Sequence, residues 1–171
     1  MRLPFIVIAG LLALVSSAQQ LPPVPAESRH FDFWIGVWEV TTPDGKVAGR
    51  NDIKSILGGR VLQENYTTPG AFAGHSYNSY NAPKKQWEQF WVDNSGTVLH
   101  LVGGVNEQGQ MVLSGDRVTP QGDTVKDRIT WTPNDDGTVR QHWEMSTDGG
   151  EVWSTLFDGT YTRIEASEDP A

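Results

Sequence analysis

From Val37 onward no window of helical length repeats its apolar residues every 3.6 positions; short runs alternate apolar with polar residues and are cut by turn residues. A chain written this way has no helix face to bury, but it can bury one face of a strand. Reading from turn to turn predicts strands at 37–42, 46–57, 60–68, 74–81, 86–92, 97–104, 110–118, 124–132, 138–146 and 151–164. The turns carry their own chemistry. Gly58-Gly59 suits a two-residue primed hairpin, while Asn81-Ala82-Pro83, Asp93-Asn94-Ser95-Gly96 and Asp148-Gly149-Gly150 supply a fixed φ through Pro and positive φ through Gly or Asn. Short strands at meander spacing predict an all-β fold, a single up-and-down antiparallel barrel of about ten strands, because closure leaves no sticky edge. Only the stretch from His30 to Ile35 reads as a helical turn, plugging one end.

Ahead of this domain, Arg2 precedes an apolar run from Leu3 to Val15 and the small residues Ser16-Ser17-Ala18, which is the layout of a secretory signal peptide. The run falls short of the roughly 20 apolar residues that a membrane-crossing helix needs. The expected organisation is a signal peptide at 1–18, a Pro-rich linker at 19–29, the barrel at 30–165 and a tail at 166–171. The expected location is secreted or periplasmic. With no cysteine, the chain has neither a disulfide nor a lipidated cysteine, so no membrane anchor is expected. Its 13 basic residues, one of them Arg2 in the leader, face 21 acidic ones and form no cluster. Nucleic acid and anionic lipid both demand clustered Lys and Arg, so neither is expected as a partner.

Phe31-Asp32-Phe33-Trp34-Ile35-Gly36-Val37-Trp38-Glu39-Val40 contains a Gly-x-Trp at the opening of the first strand. Together with Trp87-Glu88-Gln89-Phe90-Trp91-Val92-Asp93, Val139-Arg140-Gln141-His142-Trp143-Glu144, Ser146-Thr147-Asp148-Gly149-Gly150 and Phe157-Asp158-Gly159-Thr160-Tyr161-Thr162-Arg163, it resembles an uncharacterised exported bacterial family of lipocalin-like (calycin) barrels. The resemblance implies a closed barrel and no established activity. It further implies structural roles for Gly36, Trp38 and Arg163, with Trp38 at the closed end and Arg163 packed across it as a cationic lid. Some related barrels hold haem through a histidine near the chain end. No histidine lies in the last strand here, so that pattern is not met.

Loop lengths suggest which residues share a face. A four-residue loop at 82–85 pairs Tyr80 with Trp87, Asn78 with Gln89 and Ser76 with Trp91; a second at 93–96 pairs Gln89 with His100. The same face continues through Met111, Leu113 and Arg117, with Arg117 opposite Asp127, and on through Ile129, Trp131, Val139, Gln141, Trp143 and Met145. Turned inward, it offers Asn78, Tyr80, Trp87, Gln89, Trp91, His100, Trp131, Gln141 and Trp143 as ligand-binding residues, mostly aromatic walls with sparse hydrogen-bonding groups. Lys126, Arg128, Thr130, Arg140, His142 and Glu144 then face solvent. A one-residue error in register would exchange the faces.

No nucleophile elbow, phosphate-cradling loop or cysteine nucleophile is present, and no catalytic residue is assigned. His30, His75, His100 and His142 lack metal-ligand spacing, so no metal or other cofactor is expected. The leading expectation is a carrier or sensor for a small hydrophobic, amphipathic or aromatic molecule inside the barrel. Two alternatives stay open: an enzyme using His100, or the pair His142 and Glu144, for proton transfer on a hydrophobic substrate, and a filled barrel acting through its surface.

Overall fold

The computed structural model describes residues 21–164. The expected signal peptide and tail therefore lie outside the described residues. Ten strands follow one another: β1 Gly36–Thr41, β2 Val47–Ile56, β3 Val61–Thr67, β4 Ala73–Asn81, β5 Gln86–Asp93, β6 Val98–Val105, β7 Met111–Val118, β8 Thr124–Pro133, β9 Val139–Ser146 and β10 Ser154–Arg163. Each pairs antiparallel with its neighbours in sequence, and β1 pairs with β10 to close the barrel. This is the all-β, up-and-down barrel that the alternation predicts. The strand boundaries agree to within a residue except at the start of β10, expected at 151 and found at Ser154.

Five hairpins share one loop design, at Thr42–Lys46, Asp93–Thr97, Asn106–Gln110, Thr119–Asp123 and Asn134–Thr138. In each, the first residue's N–H donates to the fifth residue's carbonyl, and the fourth residue, always Gly, donates back to the first. The Gly takes positive φ, +89° at Gly96, which makes each loop a type I turn closed by a glycine bulge. Asp93 reinforces its loop by accepting from the backbone N–H of Ser95 and Thr97.

This design corrects two registers. The β4–β5 pairing is as expected, with Asn78 opposite Gln89 and Tyr80 opposite Trp87. The next loop holds one residue more than expected, so Gln89 faces Leu101, and His100 sits opposite Phe90 on the outer surface. The β6–β7 loop is also one longer, which cancels the first slip and leaves Met111 and Leu113 pointing inward, both fully buried. Arg117 lies opposite Val125 rather than Asp127. The offset is two residues, so the face is kept, and Arg117 still reaches Asp127 diagonally at 2.8 Å. The β2–β3 connection is likewise not a two-residue turn. It spans Leu57 to Arg60, with Leu57, Gly58 and Gly59 all at positive φ.

The strand ends near residues 36, 56, 61, 81, 86, 105, 111, 133, 139 and 163 gather at one end, and that end is plugged. A short 3₁₀ turn, Asp32–Trp34, inserts Trp34 and Phe31, both fully buried, against each other and against Trp131, while Phe31 also meets Trp87 edge-on. Trp38 is fully buried and donates its Nε1–H to the Trp34 carbonyl at 2.9 Å. The Arg163 guanidinium lies 4.2 Å above the Trp38 ring and donates to the Ile35 carbonyl at 2.9 Å. Gly36 makes room for it: φ is +148° there, and a Cβ would fall 2.0 Å from Arg163 Nη1. The end of the stretch read as linker is folded too, with Ala26–Arg29 forming a 3₁₀ helix and Ser28 buried.

Candidate functional site

At the end away from the plug the barrel is hollow. A cavity of about 350 Å³ is walled by inward residues of several strands, among them Glu64, Tyr66, Gln89, Trp91, Trp131, Gln141, Trp143 and Tyr161. It reaches the mouth at Thr68, Phe72, Asp93 and Leu156. Leu156 is the extra residue of a bulge between Thr155 and Phe157, half-exposed at the rim.

Its deep wall is a chain of hydrogen bonds that runs around the barrel interior across β5, β4, β3, β2, β10 and β9. Gln89 Nε2 donates to Asn78 Oδ1 at 2.9 Å, and Asn78 Nδ2 donates to Ser76 Oγ at 2.8 Å. Ser76 Oγ–H donates to Glu64 Oε2 at 2.5 Å, and Asn51 Nδ2 donates to Glu64 Oε1 at 2.7 Å. Asn51 also bonds Tyr161 Oη at 3.3 Å, and Tyr161 in turn donates to Gln141 Oε1. Each of these residues sits at an inward strand position, where a polar group needs a partner, and the side chains bond one another. Asn51 Oδ1 and Trp131 Nε1 remain buried without a partner.

Glu64 is the centre of this belt. Burial disfavours its charge and outweighs the bonds from Ser76 and Asn51, so its pKa is pushed up to about 7. Tyr161 is likewise buried and its phenol is raised well above the ordinary value, first by desolvation and then by the nearby Glu64. At the mouth the order reverses. Burial works against the Asp93 charge, yet hydrogen bonds from Ser95, Trp91 and the Thr97 backbone hold its pKa below the usual value. A third interior group, the Asp127 carboxylate, takes two bonds from Arg117 and one from Trp143 Nε1 at 2.8 Å.

Of the residues expected from the sequence, Gln89, Trp91, Trp131, Gln141 and Trp143 line the cavity. Asn78 is fully buried behind Gln89. Trp87 packs into the plug with Tyr80 beside it, and neither reaches the cavity. His100 is on the outer face, 3.4 Å from Glu88, whose own pKa is drawn down to about 2 chiefly by Lys84 and Gln86. His142 and Glu144 are also outside; His142 meets Thr155, and Glu144 is bound by Arg128. Among the described residues no imidazole lines the cavity, so the alternative of histidine-based proton transfer inside the barrel finds no histidine there.

Glu64, Tyr66, Phe157 and Tyr161 were not singled out by the sequence reading. The signal was present: Ser76 pairs with Glu64 across β3–β4, so carrying the inward face backward from β4 reaches Glu64. The fold and the cavity together define a class, a closed up-and-down barrel plugged at one end and hollow at the other. Within that class, residues 33–163 match the family described as protein of unknown function (DUF1579), and the chain belongs to it. No curated protein matches the chain.

Proposed function

We propose that this chain is an exported, lipocalin-like binding protein that takes up a small amphipathic or aromatic molecule through the open mouth. The observation that carries this reading is the cavity itself: an aromatic wall ending on a belt of hydrogen-bonding groups is the composition of a small-molecule site. The apolar body lies against Trp91, Trp131 and Trp143, and the polar head meets Glu64, Gln89 and Gln141. The Trp38–Arg163 stack and the Gly36 that admits it support the lipocalin-like relation. Aromatic packing at the plug and a closed strand framework hold the wall in place before the ligand arrives, which lowers the ordering cost of binding.

Uptake of the neutral fluorophore N-phenyl-1-naphthylamine tests the reading. Emission should rise with saturable binding and tryptophan emission should fall. Ala48→Trp fills the cavity wall from a partly exposed position without removing a polar group, and it should weaken binding by about tenfold or more while the β spectrum is kept. Undiminished binding by the folded variant would put the probe elsewhere and overturn the proposal.

A further inference from the structure

The lining of the cavity has one sign of charge. Its acidic members are Glu64 at depth and Asp93 at the mouth, and among the described residues no Lys, Arg or His belongs to the wall. Arg117, which also points into the barrel, is held by both oxygens of Asp127 and is not part of the wall. Around the carboxyl groups stand Tyr66, Trp91, Trp131, Trp143, Phe157 and Tyr161. Aromatic faces attract a cation through their quadrupole and give an anion no counter-charge. Hydrogen bonding at Glu64 points the same way, while the wall also carries one unpartnered donor, Trp131 Nε1–H. Each Glu64 oxygen accepts a single bond, and the neighbouring Asn51 Oδ1 accepts none. An ammonium group brings donors only.

We propose that the cavity is a site for a protonated amine carried on an apolar or aromatic body, with the ammonium at Glu64 and the body among Trp91, Trp131 and Trp143. The proposal rests on reading the cavity as a small-molecule site and adds the charge of the ligand. A carboxylate-headed molecule such as a fatty acid would meet two acids and no cation.

Binding by this route displaces a proton. Burial leaves Glu64 partly protonated near neutral pH, and an ammonium in contact favours the carboxylate. The groups that face Glu64 do not blur this. Asn51 from β2, Ser76 from β4 and Gln89 from β5 do not titrate; Tyr66 and Tyr161 are raised above their ordinary values; Asp93 is lowered. Proton release near neutrality therefore belongs to Glu64.

Calorimetry with three molecules of one ring system tests the charge: 1-naphthylmethylamine, 1-naphthylmethanol and 1-naphthoate, titrated into the whole exported chain. At pH 8 the amine should bind about tenfold or more tighter than the alcohol, and the naphthoate weakest. Below pH 7 the amine's affinity should fall by about tenfold per pH unit while the alcohol's holds, with proton release visible as heat that depends on the buffer. Glu64→Gln should bring the amine to within about threefold of the alcohol. Should that variant fail to fold, the pH dependence of the unaltered protein decides. Equal affinity for amine and alcohol at pH 8, tighter naphthoate, or undiminished amine binding by folded Glu64→Gln would overturn the charge assignment and leave the cavity reading standing. Binding by none of the three would bring down both.

Discussion

Glu64 sits at an inward position of β3 with 4 % of its surface exposed, and it couples the barrel interior to pH. Its pKa rises from 4.5 to about 7 on folding, so between these values the native state holds a proton that the unfolded chain has lost. The stability this lends is complete below the unfolded value and is lost as pH rises through the folded one, an effect of about 3 kcal/mol. Unfolding in urea at pH 4.5 and pH 8 should therefore show the unaltered protein losing about 3 kcal/mol more than Glu64→Gln across that span. Parallel losses in the two proteins would mean that Glu64 is solvated. Gly36 shows a different residue-scale constraint, since it answers two demands at once: a backbone angle that side chains rarely adopt and an approach of Arg163 that a Cβ would block.

At the scale of elements, strand positions were legible because alternation and turn residues are local signals, and one-face burial forces both into the sequence. Register was less so. Asp93-Asn94-Ser95-Gly96 reads as a four-residue loop until the bulge is counted, since the residue after the Gly belongs to the loop and not to the strand. That single residue moved His100 from the wall to the surface and brought Leu101, 1 % exposed, into the core. The Arg117–Asp127 pair survived because a two-residue offset preserves the face. Glu64 and Tyr161 stayed hidden for a related reason. Glu64 lies one pairing back from β4 and Tyr161 one pairing on from β9, across a bulge, and an isolated Glu or Tyr in an alternating run looks the same on either face.

The whole molecule is polarised along the barrel axis. Buried aromatic packing seals one end, where Phe31, Trp34 and Trp38 are all fully buried, and the cavity opens at the other. Such a body suits the proposed uptake from one side, and the export expected from residues 1–18 is tested separately. Osmotic release of the host cells should yield a soluble protein whose chain starts at or near Gln19; retention of the leader in a membrane fraction would contradict export. Entry of a small molecule into this hollow end can be followed at the seven tryptophans, whose indole N–H groups each give one nuclear magnetic resonance signal. Titration of the protein with 1-naphthylmethanol should shift the signals of Trp91, Trp131 and Trp143, which line the cavity, and leave those of Trp38 beneath Arg163 and of Trp153 beneath Arg128 in place. Shifts confined to Trp153, or a cavity trio that does not move at saturating probe, would mean that the hollow end does not receive the probe.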